Sequence, residues 1–247
     1  MNPNSWCVYL YQRSALTDFL WLEKYNILCD TDRQRALRYS QPKARERFTL
    51  TRILLYHCLG YHLQIPPAAV TLSISEQGKP GWVDFPDVHF NVSHSEAMIA
   101  ISVARNFSTG VDIEFCRPRT RLVKLINEYF SETEQRVLAE VELDRLPAAF
   151  YQYWTMKEAY TKMLGLGLGK PLSSFSVVPD RLDNLVQEHV STYYAALDCN
   201  LFSARPSLDY QLAVCLQTSM AIEPQIYVMT SPPVNDQQPF FCLAHSR

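Results

Sequence analysis

The sequence has no Cys-x-x-Cys pair, no apolar run near membrane-spanning length and almost no net charge, and each absence removes a class of protein. Its seven cysteines (Cys7, Cys29, Cys58, Cys116, Cys199, Cys215 and Cys242) are odd in number and widely scattered. That argues against a disulfide framework and against a zinc site, and it fits a reducing compartment. The longest apolar runs resemble Ala97-Met-Ile-Ala-Ile101, far short of the ~20 residues a spanning helix needs. Met1-Asn-Pro-Asn-Ser-Trp6 has neither the basic flank nor the apolar core of a signal peptide. A net charge of −2 gives no global attraction to nucleic acid or membrane. We therefore expect a soluble cytoplasmic protein. With 247 residues, 47% hydrophobic and 19% charged, the chain can form one large globular domain or two modest ones.

Glycine is scarce too, and three of the seven glycines fall in Gly165-Leu-Gly-Leu-Gly-Lys-Pro171. This is not a phosphate loop: the spacing is short, proline replaces Ser/Thr, and a helical pattern rather than a strand precedes it. It reads as a helix end followed by a loop.

What is present centres on two stretches. Leu146, Phe150 and Trp154 recur every four residues, one face of a helix, and the same step reaches Glu158 and Lys162. A carboxylate and an amine one turn apart thus extend an inward-facing stripe. In Gly110-Val-Asp-Ile-Glu114, Val111 and Ile113 alternate with Asp112 and Glu114, a half-buried strand with both acids on one face. Three carboxylates on rigid elements suit a hard divalent cation such as Mg²⁺. The competing readings are a solvated acidic strand face and a surface Glu–Lys pair.

Element patterns run as strand (Trp6–Tyr11), helices (Thr17–Tyr25, Asp32–Tyr39 and a longer one from Pro42 to Pro66-Pro67), then strands at Val70–Ile74, His89–Ser93 and Met98–Val103. Gly78-Lys-Pro-Gly81 reads as a turn, and Ser93-His-Ser-Glu96 as a connection. After the polar turn Asn106–Gly110 the order begins again. A strand (Val111–Phe115) is followed by helices (Leu122–Tyr129, Glu132–Glu140, Leu146–Met163) and strands near Phe175–Val178, Val190–Tyr194 and Tyr210–Leu216. The pattern predicts an α+β fold of two similar halves, 1–108 and 109–247. The tail after Gln217, with four prolines, is expected to be irregular.

Two further clusters have bland alternatives. Arg33, Arg35, Arg38, Lys43, Arg45, Arg47 and Arg52 crowd one stretch with a single acid, Glu46. It is either a solvated helix face or an anion site for nucleic acid or a phosphorylated ligand. Ser93-His94 with Asp112 suggests a hydrolase triad, but adjacent Ser and His in an extended segment point apart and no Gly-x-Ser-x-Gly turn is present.

Read together, Gly78-Lys-Pro80, Phe90-Asn-Val-Ser-His-Ser95, Gly110-Val-Asp-Ile-Glu114, Phe130-Ser-Glu-Thr-Glu134 and Trp154-Thr-Met-Lys-Glu-Ala-Tyr-Thr-Lys162 resemble the 4′-phosphopantetheinyl transferases of the surfactin-synthetase-activating type. The resemblance covers about residues 30–178, with Ser207–Leu216 similar to the family's last strand. It implies a pseudo-twofold pair of α+β halves with the active site in the cleft between them. It implies transfer of phosphopantetheine from coenzyme A to a serine of an apo acyl or peptidyl carrier protein. Asp112, Glu114 and Glu158 would hold Mg²⁺, with Mn²⁺ as the alternative ion. Glu158 would take the serine proton and Lys162 would stabilise the leaving phosphate. Lys157 and His94 would hold phosphate oxygens, and Arg35, Arg47, Lys79 and Ser93 would contact the nucleotide. Glu134 matches an acid of the family pattern, and Trp154 would pack to fix its helix. One departure is Asp32, which stands where a lysine is expected one turn before Arg35; Arg33 or Arg38 would compensate. Carrier proteins are acidic, so Arg117, Arg119, Arg121 and Lys124 in Phe115–Lys124, with the Gly165–Leu172 loop, are the expected docking surface. A non-catalytic coenzyme A binder and a nucleic-acid binder are the alternatives. We expect no nucleic-acid partner and, from the internal pairing of halves, a monomer.

Overall fold

The structure, a computed structural model, describes residues 6–74, 80–81, 85–165, 169–177, 189–194, 198–220, 222–232 and 241–243. Strand β1 (Trp6–Gln12) is followed by α1 (Ala15–Leu22), α2 (Asp30–Leu37) and the long α3 (Pro42–Leu63). Ser14 caps α1, accepting from the Thr17 amide, so this helix opens earlier than Thr17. Pro42 sits in the first turn of α3, where its missing N–H costs nothing, and Gln64 ends it in a left-handed conformation. Then come the short β2 (Ser73–Ile74) and β3 (Pro80–Gly81), paired with each other, and the hairpin β4 (Val88–Ser95) and β5 (Met98–Arg105). The expected strand from Val70 shrinks to two residues. The expected connection at Ser93–Glu96 shrinks to Glu96-Ala97, because Ser93, His94 and Ser95 stay paired in β4.

The second half follows as β6 (Thr109–Phe115), α4 (Leu122–Tyr129), α5 (Glu132–Ala139), α6 (Leu146–Leu164), β7 (His189–Tyr194), β8 (Cys199–Ser207) and β9 (Tyr210–Leu216). Strand β8 was not expected. Its Arg205, Pro206 and edge polar residues hide the apolar core of Leu201, Phe202 and Ala204. Phe175–Val177 forms no strand, and Val178 lies outside the described residues. The tail is not irregular throughout: β10 (Gln225–Met229) pairs parallel with β1, and β11 (Phe241–Leu243) pairs with β10. An apolar alternation at Ile226 and Val228 finds its partner far away in sequence, which local pattern cannot reveal.

The fold is α+β, with two main sheets, ordered β11-β10-β1-β5-β4 and β6-β9-β8-β7. Strand alternation splits the core into three layers. Tyr9 and Tyr11 face α3 with Leu54 and Leu55, whereas Trp6, Val8 and Leu10 face Val111, Ile113, Leu212 and Val214 of the other sheet. On the far side Ala213 and Cys215 meet Phe150, Met156 and Met163 of α6. The order is therefore helix, sheet, sheet, helix. Among the described residues no helix is long and apolar enough to cross a membrane.

Candidate active site

The site forms where the edges of the two sheets meet. Strands β4 and β6 run side by side with side chains in place of backbone pairing. Asn91 Oδ1 accepts from the Val111 amide (3.0 Å), Ser93 Oγ from Ile113 (3.4 Å) and Ser95 Oγ from Phe115 (3.1 Å). The constant offset of twenty residues makes the strands parallel and in register. Because Val111 and Ile113 fill the layer between the sheets, Asp112 and Glu114 project the other way, towards α6.

Helix α6 lies almost on the backbone of β6 at Gly110. A Cβ there would stand 2.0 Å from the Ala159 carbonyl oxygen and 2.4 Å from the Met163 nitrogen. Those two contacts neighbour Glu158 and Lys162, so the missing side chain of Gly110 sets how near both functional groups come to Asp112. Along α6 the four-residue row advances about 40° per step. It starts buried at Leu146 and Phe150, passes the half-buried Trp154, and delivers Glu158 and Lys162 to a cavity.

That cavity, about 330 Å³, is lined by Ser93, His94, Asp112, Glu114, Trp154, Glu158 and Lys162, with Val92. Lys162 Nζ donates to Asp112 Oδ1 (2.6 Å) and to Ser93 Oγ (3.0 Å), and Ser93 Oγ donates to Asp112 Oδ1 (2.9 Å). Ser95 Oγ donates to Glu114 Oε2 at 2.8 Å. Desolvation first, and then the Asp112 charge, raises the pKa of both Glu114 and Glu158. Desolvation, with the Arg47, Lys162 and Arg13 charges adding to it, lowers that of His94. Ser93 bonds Asp112 directly, with no imidazole between them, so a hydrolase triad is not assembled.

The fit of a hard cation can be tested on this geometry. Asp112 is buried, and among the described residues its Oδ2 has no hydrogen-bond partner. An orphaned carboxylate oxygen beside two more carboxylates is a donor set suited to Mg²⁺. The carboxylates share the cavity without closing on one point: among the described residues no three His, Cys, Asp or Glu side chains are close enough together to hold an ion. Lys162 takes up Asp112 Oδ1 instead.

Lys157 corrects an expectation. It does not reach the cavity. Its side chain is fully buried on the other face of α6, where Nζ bonds Glu134 Oε2 (2.6 Å) and the Phe175 carbonyl (2.5 Å) over the Phe175 ring. Glu134 in turn accepts from Ser131 and from the Val177 amide, and Ser131 and Glu134 form a capping box on α5. Desolvation pulls the Lys157 pKa down against the pull of Glu134. Lys157 and Glu158 are neighbours on one helix, 100° apart, and cannot both face one ligand.

A second cavity of about 230 Å³ adjoins the first through Val92 and His94, and is lined by Phe48, Thr51, Arg52, Phe90 and Asn91 among others. Guanidinium groups of Arg35 and Arg52 stand 5.6 and 5.3 Å from the Phe48 ring centre. Arg52 is buried and pairs with Asp32 Oδ1 (3.4 Å), while Tyr56 Oη donates to Asp32 Oδ2 (2.9 Å). Asp32 therefore holds Arg52 at the cavity, and Arg33 pairs with Asp30 on the surface. Arg52 and Phe48 were legible only as part of a basic run and a helix face; their meeting needs the turn between α2 and α3. Arg47 lines neither cavity, and Lys79 lies outside the described residues. A third cavity, about 450 Å³, shares Trp154 and Glu158 and is bounded by Tyr129, Thr161, Lys170 and Leu172. Trp154 thus walls two cavities as well as packing, stacked on Phe150 at 5.6 Å.

Two family models match the sequence: one described as the 4′-phosphopantetheinyl transferase superfamily over residues 108–215, the other as 4′-phosphopantetheinyl transferase, N-terminal, over residues 17–106. The chain is 31% identical over 183 residues to 4′-phosphopantetheinyl transferase Sfp of Bacillus subtilis, covering 74% of this chain and 79% of that protein. The chain belongs to the 4′-phosphopantetheinyl transferase superfamily. The transferase gsp of Aneurinibacillus migulanus is 30% identical over 187 residues (71% and 77% of the two chains), and HetI of a Nostoc species 34% over 139 residues (55% and 59%). The boundary between the two 4′-phosphopantetheinyl transferase matches, near residue 107, falls just before β6 and its carboxylates.

Proposed function

We propose that this protein transfers 4′-phosphopantetheine from coenzyme A to a serine of an apo acyl or peptidyl carrier protein, giving the holo carrier and adenosine 3′,5′-bisphosphate. The observation that carries the reading is one cavity containing Asp112, Glu114, Glu158 and Lys162 in a chain of this family. The serine hydroxyl attacks the phosphorus bearing pantetheine, and the phosphoanhydride bond to the nucleotide half breaks. Glu158, whose pKa is raised, accepts the serine proton directly or through a water. Lys162 leaves Asp112 Oδ1 to meet the departing phosphate, where its charge is worth most. Asp112, Glu114 and Glu158 would hold Mg²⁺, or Mn²⁺ in its place, once their carboxylates draw together around it. When bound, the ion neutralises charge on the pyrophosphate.

The second cavity takes the nucleotide, with Arg52 and Arg35 beside the Phe48 ring and His94 in its wall. Ser93 contacts it from the adjoining cavity, Arg47 meets the part that projects beyond both, and Lys79, outside the described residues, is a further contact. Two sheets, each backed by one long helix, support a pseudo-twofold fold with the cleft at their join. The first 108 residues form the nucleotide half; residues 109–247 carry the metal and the chemistry, and the last strands complete the sheet of the first half. The layer between the sheets lies within one chain, which supports a monomer, and we place that monomer in the cytoplasm. No nucleic acid partner is needed.

An acidic carrier docks beside the third cavity, along Phe115–Lys124 and the loop Gly165–Leu172, of which 166–168 lie outside the described residues. Arg117 is paired with Glu96, and Arg119 Nε bonds Tyr151 Oη (2.8 Å), so the exposed Arg121 and Lys124 are the better test. Reversing both charges should raise the carrier KM and leave that for coenzyme A unchanged.

The central experiment is incubation with coenzyme A, Mg²⁺ and a panel of apo carriers, read by intact mass. Glu158→Gln should cut loading by about 10²-fold or more at unchanged thermal stability. Wild-type loading rates in that variant would remove Glu158 from the mechanism.

A further inference from the structure

Three polar side chains of β4 accept from three alternate amides of β6, yet only two of them also touch a carboxylate. Asn91 accepts from Val111 and stops there. Ser95 accepts from the Phe115 amide at 3.1 Å and donates to Glu114 Oε2 at 2.8 Å. Its one proton and one of its two lone pairs are thereby committed, and the bond to Glu114 fixes the hydroxyl rotor. Ser93 does the same between Ile113 and Asp112, with Lys162 as a third partner. A hydroxyl held by one strand's backbone fixes the carboxylate next to it on the same strand. Glu114 has three rotatable bonds and half-exposed surroundings, so without such a bond its head would sample several positions.

We propose that Ser95 is a positioning residue that holds the Glu114 carboxylate at the height of Asp112 and Glu158, using the joint between the two sheets as its anchor. The proposal rests on the reading that Glu114 works in this site. It assigns the ladder two separable jobs. Asn91 joins the sheets. Ser95 joins them and aims an acid.

The test compares Ser95→Ala, Ser95→Thr, Asn91→Ala and Glu114→Gln. Three readouts are taken on the full chain: residue-level amide exchange at Phe115, melting temperature, and carrier loading at varied Mg²⁺ and coenzyme A. Ser95→Ala should lose exchange protection at Phe115 and raise the Mg²⁺ concentration for half-maximal loading by about 10- to 100-fold. Mn²⁺ binding by the variant, followed by electron paramagnetic resonance without turnover, should weaken in step. Ser95→Thr, which keeps the hydroxyl, should restore both. Asn91→Ala should lose protection at Val111 and, because Asn91 lines the second cavity, shift the coenzyme A KM, with Mn²⁺ binding as in the wild type.

Ser95→Ala with lost Phe115 protection but wild-type loading and Mn²⁺ binding, beside an inactive Glu114→Gln, would overturn the positioning role alone. Full loading by Glu114→Gln would instead sink the assignment of Glu114 to the site, and the proposal with it.

Discussion

Lys157 Nζ stands 2.6 Å from Glu134 Oε2, and neither side chain has any solvent exposure. The pair ties α6 to the start of α5 and to the Phe175 segment, on the face of the helix away from the cavity. Removing one partner strands the other's charge in the core, at about 3–5 kcal/mol. Glu134→Ala and Lys157→Met should each lower the urea unfolding free energy by that amount, and the double change Glu134→Leu with Lys157→Met should lose less than the sum. A residue that gripped coenzyme A would show the reverse: a raised coenzyme A KM at unchanged stability.

Gly110 is required by the approach of α6, not by its own backbone conformation. Gly110→Ala puts a methyl group into the backbone of Ala159 and Met163. Overpacking of this kind costs about 1–3 kcal/mol or more. It should also push Glu158 and Lys162 away from Asp112, so loading should fall well beyond what the melting temperature suggests. Matched losses in a Gly110→Ala thermal scan and assay would mean that the helix can shift without disturbing the site.

Burial holds two histidines of α3 neutral. Desolvation pushes the His62 pKa down to about 3 and that of His57 to about 4, against 6.5 unfolded. Above pH 6.5 neither state binds the proton and no stability is lost. Below it the unfolded chain takes up protons first, so stability falls as pH drops towards the folded values. At about 1.4 kcal/mol per pH unit, each histidine costs about 2 kcal/mol by pH 5. Urea midpoints at pH 7 and pH 5 measure the loss, and His62→Gln should flatten the slope. His62 Nε2 lies 2.8 Å from Tyr9 Oη, a bond that the glutamine can reproduce in part.

The last described strands bind the far end of the chain to its beginning. Met229 is buried beside Cys58 (3.8 Å), Tyr227 stacks on Tyr9 at 5.3 Å, and Trp21 Nε1 donates to the Thr230 carbonyl at 2.7 Å. Met229→Ala should cost about 2–5 kcal/mol. Deleting residues after Gln217 should be worse, because it opens the β1 edge to pairing with other chains. Light scattering of the truncated protein should report aggregation; a monodisperse, fully active truncation would contradict this account.

Apolar content, spacing and breaker residues were enough to place α3, α6, β6 and β9, although α3 and β9 are buried on more than one face, and alternation was enough for the carboxylates at Asp112 and Glu114. The motifs were enough for the family. Strand β8 was hidden by its polar edge residues, and β10 by a partner more than two hundred positions away. The four-residue row already put Lys162 with Glu158 and left Lys157 off it, but the partner that buries Lys157, Glu134, could not be read from spacing along α6.

Sequence by itself determined which residues carry charge, which alternate and which repeat every turn, because those are properties of neighbours along the chain. Only tertiary structure decided which charges meet. Glu134 claims Lys157, Asp32 claims Arg52 and Ser95 claims Glu114. Each of these pairings depends on two sheets and their helices closing to within hydrogen-bond distance, and no local pattern encodes that approach.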